Sequence, residues 1–194
     1  AHGTGCVGPG GRGLVAEHGL EDEVDVVVGT LGKALGSYGA YVLCDKPMSK
    51  YLINTARTLI FSTALSPPAV AAAMASLELL LEQPRRVEKL QRNAAVLREA
   101  LTESGLPVDP GETPIVPLIV GDADAAMAAS ERALERGVFA QAIRPPTVPA
   151  GTSRLRLAVM ASHTKSELRE AGRVLAAALS AATIESLTQP AVFD

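Results

Sequence analysis

The chain has 194 residues, of which 47% are hydrophobic and 20% charged, so it can bury a core and is neither disordered nor fibrous. A net charge of −3 with scattered basic residues argues against a nucleic-acid surface, and no apolar run is long enough to predict a membrane span. The two cysteines lie far apart and the three histidines lack metal-ligand spacing, so we expect neither a disulfide framework nor a metal site.

A glycine-rich segment opens the chain and runs from His2 to Gly13. Its residues 3–8 match the dinucleotide-binding pattern G-x-G-x-x-G, which is meaningful only between a strand and a helix. The run Pro9-Gly10-Gly11 follows and cannot form a helix, so the dinucleotide interpretation carries little weight.

The next segment joins an apolar run to a turn that bears a lysine. Residues 26–28 are all valine and predict a buried strand, which ends in Gly29-Thr30-Leu31-Gly32-Lys33-Ala34-Leu35-Gly36. A lysine at the end of a buried strand is costly unless it has a partner or a reaction, and a desolvated lysine is a usable amine nucleophile. The plain alternative is a solvated lysine on an ordinary loop. A phosphate-binding Walker loop is excluded because its spacing is absent.

Further elements follow in chain order before residue 106. We predict a strand over residues 40–44, a short helix through about Thr55, a third strand over residues 59–61 and a long helix from Pro67. A second amphipathic helix follows and ends at Gly105, a natural C-cap. Its buried face is predicted from the spacing of Val87, Leu90, Ala94, Leu97 and Leu101.

The remaining residues have the pattern of a small α/β domain. We predict strands over residues 115–120, 138–143 and 154–159, and a helix over residues 122–136 that Gly137 stops. Thr164 and Glu167 have the spacing of a capping box, which predicts a last helix to about Ala182, followed by an irregular tail.

Several of these motifs, in this order, resemble the α-oxoamine synthases, which are fold-type I enzymes that use pyridoxal phosphate (PLP). The similar segments are His2-Gly3-Thr4-Gly5, residues 8–13, residues 29–36, residues 59–65 and residues 143–157. The resemblance extends to about residue 182 and implies an α/β fold. It assigns residues 1–66 to the C-terminal part of a large PLP-binding domain, 67–105 to connecting helices, 106–185 to a small C-terminal domain and 186–194 to the tail.

The resemblance also bears on where the chain begins. In this family an aspartate that pairs with the cofactor's ring nitrogen stands two residues before the position of Ala1. We therefore expect the chain to be the C-terminal portion of a longer protein. The alternative is a mature chain that stands alone.

Family position implies roles for three residues at the reacting end of the cofactor. Lys33 would form a Schiff base with PLP and then remove the α-proton of the amino acid. His2 would donate a hydrogen bond to the cofactor's ring oxygen, and Ala1 would lie flat against the ring. The plain alternatives are a solvated lysine, an ordinary loop histidine and an alanine at the end of a strand.

The same resemblance implies residues for the phosphate and for the substrate. Thr30, Ser62 and Thr63 would contact the phosphate, the last two on the neighbouring subunit of a homodimer; capping at a strand end is the alternative for that pair. Arg156 would clamp the amino-acid carboxylate, which a guanidinium matches with two hydrogen bonds, while Arg154 on the same strand face could be structural. The two residues Arg144 and Thr147 would border the site.

The implied activity is a PLP-dependent acyl transfer with loss of carbon dioxide. The segments at residues 59–65 and 143–157 are most similar to family members that condense L-alanine with a pimeloyl thioester, on CoA or on a carrier protein, in biotin synthesis. We expect a cytoplasmic homodimer that binds neither nucleic acid nor membrane. The alternatives are a family member of the glycine C-acetyltransferase type and a non-catalytic partner subunit, although such subunits usually lack the lysine.

Overall fold

The computed structural model describes the backbone of residues 1–188 and the side chains of residues 1–180. The chain divides into two compact units, Ala1–Glu88 and a second unit that begins at Lys89. The predicted domain boundaries near residues 66, 105 and 185 remain a prediction. Among the described residues, no helix combines the length and the apolar character that crossing a membrane requires.

The first unit contains a hairpin and several helices. A 3-10 turn, Pro9–Gly11, and α1, Leu14–Glu17, precede the strands β1, Val26–Thr30, and β2, Ala40–Cys44. Helices α2, Lys46–Thr55, α3, Arg57–Ile60, and α4, Pro67–Glu82, follow. The boundary between the units lies within α5, Arg85–Glu103.

Strands β1 and β2 pair antiparallel, with Val26 opposite Cys44 and Thr30 opposite Ala40. Both strands are where the sequence predicts them, but the predicted burial of the valines is wrong, because Val28 is 64% exposed and Val26 37%. β-Branched side chains favour the extended backbone, whereas burial depends on what packs against the faces of the sheet. No element among the described residues fully covers the side of β1 that carries Val26 and Val28.

The predicted strand over residues 59–61 is wrong, because these residues belong to α3 and its C-terminal cap. The amide of Phe61 donates to the carbonyl of Arg57 at 3.0 Å, and that of Ile60 donates to Ala56 at 3.0 Å. The Arg57 guanidinium lies 5.9 Å from the centre of the Phe61 ring, a favourable contact at i, i+4 spacing. A short apolar run is ambiguous in sequence, and here these local contacts favour the helix.

The long helices follow their sequence signals closely. Helix α4 begins at Pro67, where the missing amide hydrogen costs nothing, and α2 is capped by Asp45, whose carboxylate accepts from the amide of Met48 at 2.8 Å. The predicted face of α5 is confirmed, since all five of its apolar residues are no more than 7% exposed. Gly105 ends this helix with φ +79°, and the amide of Leu106 donates back to the carbonyl of Leu101.

The second unit is a three-stranded antiparallel sheet with helices packed on one face. Its strands β3, Ile115–Gly121, β4, Gln141–Ile143, and β5, Ser153–Ala158, lie in the order β3-β5-β4. Helix α6, Ala123–Glu135, stands between β3 and β4 in the chain, and α7, Lys165–Thr188, follows β5. The predicted strands and helices are all present, with ends that differ by a few residues. The α/β class predicted from the sequence is therefore confirmed.

The core of this unit consists of aliphatic side chains from alternate strand positions and from small helix residues. Val116, Leu118 and Leu155 are at most 1% exposed, and Ala126, Ala129 and Ala133 of α6 are fully buried. Such alanines let the helix lie close to the sheet. The other face of the sheet carries Arg154 and Arg156 of β5.

The last helix begins at the predicted capping box. The amide of Thr164 donates to the Glu167 carboxylate at 2.7 Å, and the amide of Glu167 donates to the Thr164 hydroxyl at 3.2 Å. The helix continues through Thr188, so the first three residues of the predicted irregular tail, 186–188, are helical. The rest of that predicted tail, residues 189–194, lies outside the described residues.

Candidate active site

Lys33 stands on a turn, residues 31–39, that joins β1 to β2, and three backbone hydrogen bonds close this turn. Leu31 donates to Gly39 at 2.9 Å, Ser37 donates to Leu31 at 2.8 Å, and Gly36 donates to Lys33 at 2.9 Å. The Lys33 side chain is exposed, so the desolvation expected for a lysine at the end of a buried strand is not found within the described residues. Leu35, two residues later, is buried and anchors the turn. We call β1, this turn and β2 the Lys33 hairpin. The hydrogen bonds of the turn hold the backbone of Lys33 in place, and the amine at the end of its side chain is exposed.

Two hydroxyl groups stabilise the Lys33 turn. Thr30 Oγ1 accepts from the amide of Gly32 at 3.1 Å and lies 3.5 Å from the carbonyl oxygen of Gly39, to which it donates. Ser37 Oγ donates to the carbonyl of Ala69 in the first turn of α4 at 2.5 Å. The role of Ser37 is not predicted from the sequence, because a serine next to Gly36 gives no local sign of a partner 32 residues away. The Thr30 hydroxyl, at the end of β1, is therefore engaged with the backbone of the turn, and its predicted phosphate contact remains a prediction.

The glycine-rich segment, residues 1–13, folds back on itself, and we call it the N-terminal loop. The amide of Gly5 donates to the carbonyl of Gly11 at 2.7 Å, and the amide of Gly13 donates to Val7 at 2.9 Å. Gly8 has φ +77°, and a Cβ atom there would lie 2.5 Å from the carbonyl oxygen of Gly13. The loop can close only because a glycine occupies this position.

The N-terminal loop contacts the Lys33 hairpin at two points. Thr4 Oγ1 lies 2.7 Å from Tyr41 Oη, within hydrogen-bonding distance. A Cβ atom on Gly5 would lie only 2.6 Å from the Cβ of Ala34, so the two backbones approach closely. Ala1 and His2 are exposed residues of the same loop. The fold thus places the loop that carries Ala1 and His2 against the hairpin that carries Lys33.

A cavity of about 1130 Å³ lies along the described residues of the first unit. Ala1, Thr4, Tyr41 and the apolar residues Val28 and Leu77 are among those that line it, whereas Lys33, His2 and Thr30 do not. Of the predicted cofactor-binding residues, Ala1 thus lines this cavity, whereas Lys33 and His2 do not.

Ser62 and Thr63 lie in the irregular segment between α3 and α4. Both are exposed, and neither hydroxyl caps a helix, since Ser66 is the N-cap residue of α4 and α3 has no side-chain cap. The alternative that they cap a strand end is wrong, because the segment before them is helical. No contact between these residues and the Lys33 hairpin is described, so their predicted role at the phosphate of a neighbouring subunit remains a prediction.

In the second unit, Arg154 and Arg156 lie on the sheet face opposite the core. Arg156 stands between Pro117 of β3 and Gln141 of β4 in the strand register. Arg154 donates from Nε to the carbonyl of Thr152 at 3.0 Å. Arg156 is exposed, and no carboxylate partner for it is described among residues 1–180. The two arginines therefore differ, as one is held by the backbone and the other is available to a ligand.

Arg144 and Thr147 lie in the turn that follows β4. The amide of Thr147 donates to the carbonyl of Arg144 at 3.1 Å, and both side chains are exposed. Strand β4 pairs with β5, so this turn leaves the edge of the sheet that carries Arg156. The predicted role of the two residues at the border of the site remains a prediction.

The Cys6 thiol and the possible metal ligands among the described residues are further candidates for reactive groups of the site. Burial raises the pKa of the Cys6 thiol, which disfavours the nucleophilic thiolate form. No group of three or more His, Cys, Asp or Glu side chains within the described part of the chain could hold a metal ion.

Comparison with known proteins identifies the family that this chain matches. Residues 1–175 match the family of class I and II aminotransferases. The chain is 48% identical over 177 residues to an 8-amino-7-oxononanoate synthase of Citrifermentans bemidjiense. That match covers 90% of this chain and 46% of the relative, so the chain spans about half the length of the curated relatives it matches.

Solved structures show the same fold. A high-resolution structure of SPT with a PLP internal aldimine superposes with a TM-score of 0.89 at 32% identity, over 95% of this chain and 47% of that chain. The 8-amino-7-oxononanoate synthase of Francisella tularensis superposes with a TM-score of 0.81 at 26% identity, over 93% of this chain and 53% of that chain. The fold predicted from the motifs is therefore confirmed.

Proposed function

The chain belongs to the aminotransferase class I and II family, and we propose that it works in a PLP-dependent 8-amino-7-oxononanoate synthase of biotin biosynthesis. The reaction joins the α-carbon of L-alanine to the carbonyl carbon of a pimeloyl thioester. The thiol carrier, either CoA or a carrier protein, leaves, and the alanine carboxylate is lost as carbon dioxide. The similarity at 48% identity to named synthases supports this choice of reaction.

One observation carries the proposal at the level of geometry, namely the position of Lys33. Its amine is exposed on a turn with a hydrogen-bonded backbone, and no carboxylate within the described residues pairs with it. The N-terminal loop with His2 contacts the same hairpin through Thr4. An amine that must react with an aldehyde needs this combination of access and fixed position.

The residues present fit PLP. The exposed Lys33 amine suits the aldehyde, and the hydroxyls of Thr30, Ser62 and Thr63 are suitable donors for a phosphate. When bound, the cofactor supplies an electron-withdrawing ring that stabilises negative charge at the amino acid's α-carbon. His2 would donate a hydrogen bond to the ring oxygen, and Ala1, with its small side chain, would lie against the ring face.

Two groups of this chain would act on alanine itself. Lys33 would remove the α-proton, holding it on Nζ, and would return a proton to the product carbon after carbon dioxide has left. Arg156 would bind the alanine carboxylate through its guanidinium, which has no carboxylate partner among the described residues. Arg144 and Thr147 would border the site.

We further propose that the enzyme is a cytoplasmic homodimer. Ser62 and Thr63 are exposed and have no described contact with the Lys33 hairpin of their own chain, which suits contact with a neighbouring subunit's cofactor. Neither Cys6 nor Cys44 is part of a disulfide, as is usual in a reducing compartment.

The test is a substrate comparison with the natural-length protein. Alanine, glycine and serine are each offered with pimeloyl-CoA and with acetyl-CoA, and release of the free thiol is measured. We expect thiol release with alanine and pimeloyl-CoA to exceed that of every other pair. A preference for glycine with acetyl-CoA would refute the proposed reaction and assign the glycine C-acetyltransferase type.

One observation favours a second candidate, a synthase that uses serine. SPT, a serine palmitoyltransferase, superposes more closely than the Francisella tularensis synthase, with TM-scores of 0.89 and 0.81. Sequence identity favours the alanine enzyme, since the curated relatives are 48% identical and SPT only 32%. Serine offered with palmitoyl-CoA, as a further pair in the substrate comparison, distinguishes the two. A non-catalytic partner subunit is the weakest alternative, because the chain retains Lys33.

A further inference from the structure

We propose that Tyr41 and Thr4 form a positioning pair that fixes the N-terminal loop, and with it His2, against the Lys33 hairpin. The consequence for the cofactor rests on the proposed function, whereas the contact between the two residues does not. Neither residue would touch the reacting atoms. Their role would be to set the position of His2 relative to the Lys33 amine.

The hydrogen bond between the two side chains connects distant parts of the sequence. Thr4 Oγ1 and Tyr41 Oη lie 2.7 Å apart, the usual distance for a hydroxyl pair, and 37 residues separate them. Both side chains are partly buried, so the bond is shielded from competition with water. It is the described side-chain hydrogen bond that ties the N-terminal loop to β2.

Gly29 determines the direction in which the Tyr41 ring points. The two residues are directly opposite each other in the hairpin. A Cβ atom on Gly29 would lie 2.1 Å from Tyr41 Cζ and 2.3 Å from Tyr41 Oη. The ring therefore lies across the bare backbone of Gly29, in space that any other residue would fill. Strand β1 thus guides the phenol group towards Thr4.

A second contact, between Gly5 of the loop and Ala34 of the hairpin, lies next to the hydrogen bond. Gly5 has φ +76°, and its backbone lies so close to Ala34 that a Cβ atom there would be 2.6 Å from the alanine Cβ. Ala34 directly follows Lys33, and Gly5 directly follows Thr4. The backbone contact and the hydrogen bond between Thr4 and Tyr41 therefore hold neighbouring residues of the loop against the hairpin.

The consequence concerns His2, which lies two residues before Thr4. If the hydroxyl of Tyr41 is removed, the ring still packs on Gly29 but the loop loses its side-chain hydrogen bond to β2. The average position of His2 relative to the cofactor's ring oxygen then broadens. Because hydrogen bonds depend steeply on distance and angle, both the affinity for PLP and the absorbance of the bound cofactor should respond.

The experiment uses the natural-length protein with three variants and one control. Tyr41→Phe and Thr4→Val each remove one hydroxyl and keep the shape, and the third variant combines them. Tyr38→Phe is the matched control, because Tyr38 lies in the same hairpin, is 75% exposed and has no described hydrogen bond through its hydroxyl. Two quantities are measured, the exchange rates of the amides of residues 5–7 without cofactor and the pH titration of the visible absorbance with PLP bound.

We expect each single variant to exchange these amides roughly two- to tenfold faster and to bind PLP more weakly by a similar factor, as loss of one hydrogen bond implies. The midpoint of the absorbance titration should shift by the same amount in both. The double variant should match either single variant, because both changes break the same bond. Tyr38→Phe should behave as the unchanged protein.

Three results would overturn the positioning pair. They are unchanged amide exchange in Tyr41→Phe, effects of the two single variants that add in the double variant, and faster exchange with no change in the absorbance titration. The proposed function fails by a different result, namely the absence of PLP binding by the unchanged protein. In that case the amide exchange measured without cofactor still decides whether Tyr41 and Thr4 hold the loop.

Discussion

Gly29 and Tyr41 are directly opposed in the Lys33 hairpin, and the tyrosine ring occupies the space where a side chain on Gly29 would lie. The close approach follows from the distance of 2.1 Å between a Cβ atom built on Gly29 and Tyr41 Cζ. A glycine in a strand often marks such a site, where a neighbouring group needs the room. The orientation of the Tyr41 ring therefore depends on a glycine at position 29, four residues before Lys33.

Replacing Gly29 with alanine should force the Tyr41 ring off the strand and break its hydrogen bond to Thr4. We expect the free energy of unfolding to fall by about 1–3 kcal/mol, the usual cost of overpacking. Denaturant unfolding measures this loss. Gly32→Ala is the matched control, because a Cβ atom on Gly32 would come no closer than 3.5 Å to any neighbouring atom. Equal stability of the two variants would show that the ring has room to spare.

Lys33→Ala should abolish turnover and leave the fold intact. The side chain is exposed and has no described partner, so its removal should change the free energy of unfolding by less than about 0.5 kcal/mol. Turnover requires the amine itself, for attachment of the cofactor and for proton transfer. Thiol release and denaturant unfolding are both measured, with Lys50→Ala on α2 as the control. Persistent turnover in Lys33→Ala would remove the basis of the proposed mechanism.

Local signals in the sequence predicted most of the fold. The buried face of α5, the turn at Gly105 and the capping box of Thr164 and Glu167 each depend on residues within a few positions of one another. The helical spacing of apolar residues, a glycine after a helix and a Thr–Glu pair at i, i+3 can all be recognised in the amino-acid sequence. Elements of this kind were placed correctly to within a few residues.

Contacts between distant residues could not be predicted. The bond between Thr4 and Tyr41 joins residues 37 positions apart, and nothing near either residue indicates the other. Burial of Val28 was predicted from its β-branched neighbours, yet burial depends on what covers the strand. The motifs predicted which residues carry the chemistry, whereas the contacts that hold the N-terminal loop to the Lys33 hairpin became visible only in three dimensions.

The capping box predicts a specific dependence of stability on pH. Hydrogen bonds from Thr164 are the main cause that lowers the pKa of Glu167 below its ordinary value of 4.5. A lowered pKa in the folded state means that the carboxylate contributes stability above about pH 4.5 and loses this contribution as the pH falls through the lower folded value. We expect Glu167→Gln to unfold with a weaker dependence on pH in this acidic range. Thermal unfolding between pH 3 and pH 7 tests this, where both limits are approximate choices that bracket the carboxylate range.

The control for the capping box is Glu112→Gln, which alters an exposed loop carboxylate that has no described hydrogen bond. Its unfolding should follow the pH profile of the unchanged protein. If Glu167→Gln also followed that profile, the carboxylate of Glu167 would not be linked to the stability of α7.

Arg156 and Arg154 lie on one face of β5, and their different contacts predict different kinetic effects. Replacing Arg156 with lysine keeps the positive charge but removes the planar fork that fits a carboxylate. We expect KM for alanine to rise roughly tenfold or more, as loss of a charge-assisted hydrogen bond implies, with little change in thermal stability. Arg154→Lys is the matched control, because Arg154 donates to the carbonyl of Thr152 and its replacement should affect stability more than KM. Initial rates at varied alanine concentration measure the effect. The opposite pattern, with KM raised only by Arg154→Lys, would transfer the carboxylate-binding role to Arg154.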